Sequence, residues 1–488
     1  MGTTSFLLPS SLPQSRVQEL ENVFFTGGPD SMPFLTQKDI STSKLSLKKE
    51  EPDSGFLHAP WIVDGVGDLI FSTGTIMERG APYDLHFELA RGKVNQLRNY
   101  LADWAMGGLL IPEKIKDYAL RACAEMGKAI ATSNPLESDE HTGKALTISC
   151  QGTHLLMGEY TSQVLAIRHQ GNQPIETGFT TRFTKLFPEN LTEKIKSAFN
   201  HAQVNIPWGR IETSQGIYSW EEMDKLVDAC LGLNIEVIGG PIISMSPETL
   251  PPWIGNVSGT PTGLATVMAQ FIDATIRRYK RKIHRWVVCS GLNSVILKDF
   301  SDEILFRITC KLAEIAKQVN TSIETIIGIT CPWGEYVSNQ KRDFSPFTFA
   351  DNLCRAGLNL AALDLEIHMG YSGAGNYTRD LMETSRLLDL FSFLGSPLTA
   401  TIGYPSQSLG DTGFGGHYQS GKTPDGQGLW ADVFLKLLFC KRFIQSVHWG
   451  HFQDSADSYY PYGGLVDSEG IPKPALEACA RNRRDHLR

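Results

Sequence analysis

The chain is poor in every feature that marks a membrane protein, a disulfide-built secreted protein or a nucleic-acid binder. No apolar run approaches the ~18 residues that a membrane span needs. Lys and Arg number 45 against 53 Asp and Glu, a formal charge of −8, which argues against a phosphate backbone as partner. Met1-Gly-Thr-Thr-Ser-Phe-Leu-Leu-Pro9 has neither a basic start nor a long apolar centre, so it does not read as a signal peptide. Phe6 stands where a myristoylated Gly2 would need Ser or Thr. Only nine cysteines occur, an odd number, scattered from Cys123 to Cys479 with no CxxC pair. That pattern fits buried thiols in a reducing compartment better than disulfides or a metal centre. The expectation is a cytoplasmic protein with no membrane and no nucleic acid among its partners.

What is present is ordinary for a globular protein: 41% hydrophobic and 20% charged residues, with 45 Gly and 25 Pro suiting a loop-rich α/β chain. A length of 488 residues allows two or three domains, or one large barrel with a smaller module. Residues 1–80 read as strands. Polar and apolar residues alternate over 16–26, 34–47, 55–63 and 68–77, with Gly, Pro and Asp turns between, which suggests a small β-sandwich. Over 81–174 the period changes. Leu85, Leu89, Val94, Leu97, Leu101 and Trp104 recur near helical spacing, and 112–131 and 146–168 behave alike. Three helices packed on the sandwich are expected. The charges of Glu88-Leu-Ala-Arg-Gly-Lys93 fit a ligand patch or, more commonly, a solvated helix face.

From residue 175 to the end, strand and helix alternate. Strands are predicted at 178–183, 202–207, 235–241, 283–289, 325–331, 362–369, 397–403 and 444–449, each followed by a helix. Eight even units predict a closed (β/α)8 barrel, with an open doubly wound sheet as the competitor. A barrel builds its site at the C-terminal strand ends. The residues there are Trp208, Arg210 and Glu212; Ser244 and Met245; Ser290, Gly291 and Asn293; Trp333 and Glu335; His368 and Tyr371; Thr401 and Tyr404; and Trp449, His451 and Asp454.

Several pieces of this half share a pattern. They are Trp208 with Glu212, Gly216 and Tyr218; Gly239-Gly-Pro241 and Pro251-Pro-Trp253; Gly395-Ser-Pro-Leu-Thr-Ala-Thr-Ile-Gly-Tyr-Pro-Ser406; and above all Val447-His-Trp-Gly-His-Phe-Gln-Asp-Ser455 followed by Gly463-Gly-Leu-Val-Asp-Ser-Glu-Gly-Ile-Pro-Lys-Pro-Ala475. Together, in order and at barrel spacing, they make residues 175–485 resemble glycoside hydrolase family 10, the endo-β-1,4-xylanase family. The likeness is to a divergent bacterial branch, of the kind seen in planctomycetes, with an N-terminal extension. The resemblance implies O-glycosyl hydrolase ancestry, no cofactor, and a β-1,4-linked, xylan-like polysaccharide or oligosaccharide as partner.

The departures fall on the chemistry. The family's fourth strand ends W-D-V-V-N-E, its Glu being the acid/base. Aligning Trp286 with that Trp puts Ser290 on the Asn and Gly291 on the Glu. The seventh strand, which ends T-E in the family, here reads Ala400-Thr401. No Asp or Glu occurs between Trp286 and Lys298 or between Gly395 and Gly410. The family's Lys before the second-strand Trp is Pro207, and its Q-x-H survives only as Glu366-Ile-His368. Retaining hydrolysis needs two carboxyl groups about 5–5.5 Å apart, and glycine and threonine supply neither. The expected protein is a degenerate homologue that binds a glycan or serves as a scaffold. The alternatives are a hydrolase with relocated carboxylates, with Glu335, Glu366 and Asp454 as candidates, or a protein-interaction scaffold.

Each candidate has a plainer reading. Glu366, inside an apolar strand, needs a partner such as Arg379 or Arg386. Asp454 fits a loop cap. His368, His448 and His451 lack metal-ligand spacing and read as barrel-mouth histidines. Trp208, Trp253, Trp333, Tyr371, Tyr404 and Trp449, with Asn293, His368 and His451, are candidate sugar-binding residues or simply the packing of the barrel top. The Gly-rich stretch 410–417 does not open a helix directly, so it is a poor phosphate cradle. The loops 370–377 and 411–428 are the candidate lids.

Overall fold

The structure, a computed structural model, describes all residues except 1, 11, 29–30, 51–53, 171–173, 257–258, 409–414, 456–457 and 488. Most of the glycine-rich stretch 410–417 and part of the second candidate lid therefore lie outside the described residues.

Eight parallel strands close into a barrel. They are Gly178–Phe183, His201–Val204, Glu236–Gly239, Arg285–Ser290, Glu324–Thr330, Ala362–His368, Leu398–Gly403 and Ile444–Trp449. Neighbours pair in sequence order. The ring is closed where the eighth strand pairs with the first, Ser446 opposite Gly178, and where the third meets the fourth, Ile238 opposite Arg285. The third strand stops at Gly239-Gly240-Pro241 and resumes as Ile243–Ser244, still beside the fourth. The open sheet is thereby excluded.

The helices follow the strands because their sequences say where to start. Thr260, Ser301, Ser345, Asp380 and Thr423 each cap a helix by accepting a backbone N–H, and Pro261, Pro346 and Pro424 occupy first helical positions. The helix Asp302–Val319 buries Leu305, Ile308, Leu312, Ala313 and Ala316, one stripe at helical spacing. Phe179 and Phe183 point outward from the first strand, onto Phe199 and Phe439 and onto Phe187 and Phe452. No helix among the described residues is long and apolar enough to cross a membrane.

The N-terminal segment departs from its expected strands. Gln14–Glu19 is a helix and Leu20–Asn22 a further turn, so only Phe24–Gly27 of the stretch 16–26 is extended. Val17 and Leu20 are buried at a spacing of three, which fits a helix. The stretch 34–47 is a hairpin, Thr36–Ile40 with Lys44–Lys49, and Gly2–Leu7 adds an unforeseen strand to it. A second sheet joins Met32–Pro33, Phe24–Gly27, Phe56–Val63 and Gly67–Ser72. Its fifth strand is His417–Tyr418, supplied by the chain after the seventh barrel strand, with His417 opposite Asp68. Three helices follow, Leu85–Met106, Glu113–Ala131 and Pro135–Arg168. The last begins before its expected start because Asn134 caps it and Pro135 takes the first position.

The N-terminal segment is welded to the barrel by buried polar contacts as well as by the shared sheet. The Tyr377 hydroxyl lies 2.5 Å from Glu19 Oε2 and 2.9 Å from Asp68 Oδ1, and Arg16 donates to both Asp68 oxygens at 2.7 Å. Burial, then the adjacent Asp68, pushes the Glu19 carboxyl up. Lys93 does not lie on a solvated face: it is 4% exposed and ion-paired with Asp380, the cap of the helix after the sixth strand. Tyr377→Phe takes a hydrogen-bonding group from between two buried carboxyls and is expected to lower unfolding free energy by about 1–3 kcal/mol, read from urea denaturation. A midpoint equal to wild type would show that the Tyr377 hydroxyl contributes nothing to the seam.

Candidate active site at the barrel mouth

The sixth strand sets the character of the mouth. Its period of two sends Asp364, Glu366 and His368 to one face and Leu363, Leu365 and Ile367 to the other. Asp364 is fully buried and accepts hydrogen bonds from Thr399 and Thr401 on the seventh strand, both at 2.7 Å. Glu366 accepts one from Ser290 on the fourth strand at 2.6 Å. The fifth strand lies between them, and Gly328 makes the reach possible: a Cβ there would stand 2.6 Å from Ser290 Oγ. Arg182, from the first strand, brings Nη2 to 3.9 Å from Glu366, while its Nε and Nη2 have no hydrogen-bond partner among the described residues.

Burial pushes both carboxyls up, Asp364 and Glu366 alike, and Arg182 draws each partly back. Arg182 rather than Arg379 or Arg386 is therefore the cation beside Glu366. Arg379 pairs with Glu335, and Arg386 approaches Glu383. Burial also lowers His368 far below the usual imidazole range and takes His448 and His451 down to about 3, so these rings are neutral at pH 7. Among the described residues no group of three His, Cys, Asp or Glu side chains is placed to hold a metal.

Gly291 follows the fourth strand directly and Thr401 lies inside the seventh, the two positions the sequence resemblance aligned with carboxylates. Gly291 has φ +84°, and a Cβ on it would meet Met245 Cβ at 3.2 Å. The Thr401 hydroxyl is committed to Asp364. Of the other carboxylate candidates, Glu335 is buried against Arg379, whose guanidinium lies 4.1 Å from the Trp333 ring centre. Asp454 accepts from the Gly464 amide at 2.8 Å and pairs with Lys473 at 2.7 Å, which ties the last loop to the last helix.

The aromatic set divides. Trp208, Tyr404 and Trp449 are almost fully buried. Trp208 packs on Trp253 and Phe271 and donates to Glu212, while Tyr404 and Trp449 pack on Trp430. Trp253 and Trp333 are half-buried. Tyr371 is buried with an unpartnered hydroxyl. Asn293 clamps the fourth loop to the fifth strand through Thr330, accepting from its amide at 3.0 Å and donating to its carbonyl at 2.8 Å. The lid over the mouth is Tyr460, which stacks on His368 at 3.8 Å and also contacts Tyr371 and His451. Arg182, Asp364 and Tyr460 escaped the sequence reading. The alternation Leu363-Asp-Leu-Glu-Ile-His368 carries a signal that would have found Asp364. Tyr460 had none.

The arrangement offers two carboxyls raised by burial, a guanidinium with free donors and neutral imidazoles. Neither Gly291 nor Thr401 supplies a carboxyl beside them. Asp364, with its folded value above the ordinary 3.8, stabilises the fold fully below that pH and loses the contribution as pH rises through the higher folded value. Asp364→Asn removes the titration. The variant's urea midpoint is expected to fall less than wild type's between about pH 4 and about pH 8. Parallel declines would show that another group drives the pH dependence.

Residues 167–296 match the model of Glycosyl hydrolase family 10, a span that runs from the end of the third long helix through the tip of the fourth strand. Among solved structures the chain is similar to native xylanase 10B from Thermotoga maritima, at 15% identity over 67% of this chain and 97% of that one, with a TM-score of 0.47. It is also similar to a GH10 from Paenibacillus barcinonensis, at 16% over 65% and 96% with a TM-score of 0.45, and to xylanase 10C from Cellvibrio japonicus, at 13% over 64% and 72% with a TM-score of 0.48. The matched stretch holds the first four strands of the barrel and the helices between them, and it is this part of the chain that is similar to glycosyl hydrolase family 10.

Proposed function

We propose that the protein is a barrel of this family that binds a β-1,4-linked, xylan-like glycan at its mouth without the family's hydrolysis. The carrying observation is the pair Gly291 and Thr401. The first has no side chain and a backbone angle unfavourable to one, and the second is bonded inward to Asp364. Support for the ligand class comes from the family, and a relative from Thermotoga petrophila is a xylanase solved in complex with xylobiose. Half-buried Trp333 and Trp253 at the strand tips are suited to a sugar face.

A second reading has its own observation. Glu366 is pushed up by burial, which favours the protonated form a general acid needs, against the opposing pull of Arg182 and the Ser290 hydroxyl. Reducing-sugar release from a panel of β-glycans separates the readings, beside calorimetric titration with xylohexaose. Saturable binding with no release supports the proposal. Release that Glu366→Gln abolishes at unchanged melting temperature supports the relocated acid instead. No affinity at all leaves a protein-interaction scaffold. Gly291→Glu is expected to leave hydrolysis absent and to lower the melting temperature, because a left-handed backbone costs a side chain about 1–2 kcal/mol.

A further inference from the structure

A polar cavity of about 330 Å³ lies away from the mouth, where the N-terminal sheet, the helix Leu85–Met106 and the helix Leu381–Ser392 meet. Its floor is charged but balanced. Lys93 is ion-paired with Asp380, and Arg386 stands 3.4 Å from Glu383, whose other oxygen accepts from Gln96 at 2.5 Å. Burial alone would push Glu383 up, yet Arg386 and Lys93 bring it below the ordinary carboxylate range. The floor thus sets two cationic side chains against two acidic ones. Above this floor Asn95 and Asn99, one helical turn apart, present two amides. With the Tyr100 hydroxyl they make no hydrogen bond among the described residues. Phe56 and the Tyr100 ring supply an apolar wall.

We infer that this seam is a binding site for a neutral sugar of one or two rings. Unpartnered amides and a hydroxyl above a fixed carboxylate and guanidinium match the alternating donors and acceptors of ring hydroxyls, and the apolar wall suits the C–H face of a ring. The pairing of two cationic with two acidic side chains disfavours phosphates and carboxylates. The volume is near the lower end of ligand pockets, about 300–1,000 Å³, which excludes a long chain. The inference is independent of the reading of the mouth, since no residue is shared between the two.

The test titrates the full chain with xylobiose, cellobiose and, as the charged comparator, glucuronate. The Asn95→Ala/Asn99→Ala double variant and the conservative Tyr100→Phe are run beside wild type. Saturable disaccharide binding is expected in wild type, weakened at least tenfold in the double variant and several-fold in Tyr100→Phe, with melting temperatures unchanged. Absence of disaccharide binding, binding of equal strength in both variants, or a preference for glucuronate would overturn the assignment.

Discussion

Two carboxyls buried at the centre of a barrel must be compensated, and one guanidinium reaches toward both. Arg182 is the only cation placed to draw on both Asp364 and Glu366 among the described residues. Thr399 and Thr401 satisfy Asp364, Ser290 satisfies Glu366 across the gap left by Gly328, and the surrounding imidazoles stay neutral. An unpaired ion in such a place costs several kcal/mol, so these side chains constrain one another. The polar centre therefore stands on the sixth strand, with the fourth and seventh contributing hydroxyls.

Much of the barrel was legible because each strand is a short apolar run between helix caps and turns. The apolar set of a buried parallel strand is a strong local signal. The capping residues and first-position prolines mark most helix starts equally well. The absent acids were legible too, since no register shift along the fourth or seventh strand brings in a carboxylate.

What stayed hidden was decided at long range. Arg182, at the end of an apolar run, looks like a surface residue until the closing strand buries it. Lys93 reads as one more helix charge, and only Asp380, far along the chain, makes it a buried ion. The aromatic residues at the strand tips share one appearance in sequence. Trp208, Tyr404 and Trp449 are packed inside while Trp253 and Trp333 are half-open, a difference set by neighbours such as Phe271 and Trp430. A two-residue strand such as His417–Tyr418 has no local pattern at all.

That short strand bears on how the molecule is made. The strand Gly67–Ser72 is an edge of its sheet until His417–Tyr418 arrives, and those residues leave the ribosome only after most of the barrel has been synthesised. Through that interval the early sheet carries a row of open backbone donors and acceptors, the kind of edge that recruits foreign strands. The last piece of the N-terminal segment to form is thus delivered by the barrel. The order of synthesis and the order of completion run in opposite directions along this chain.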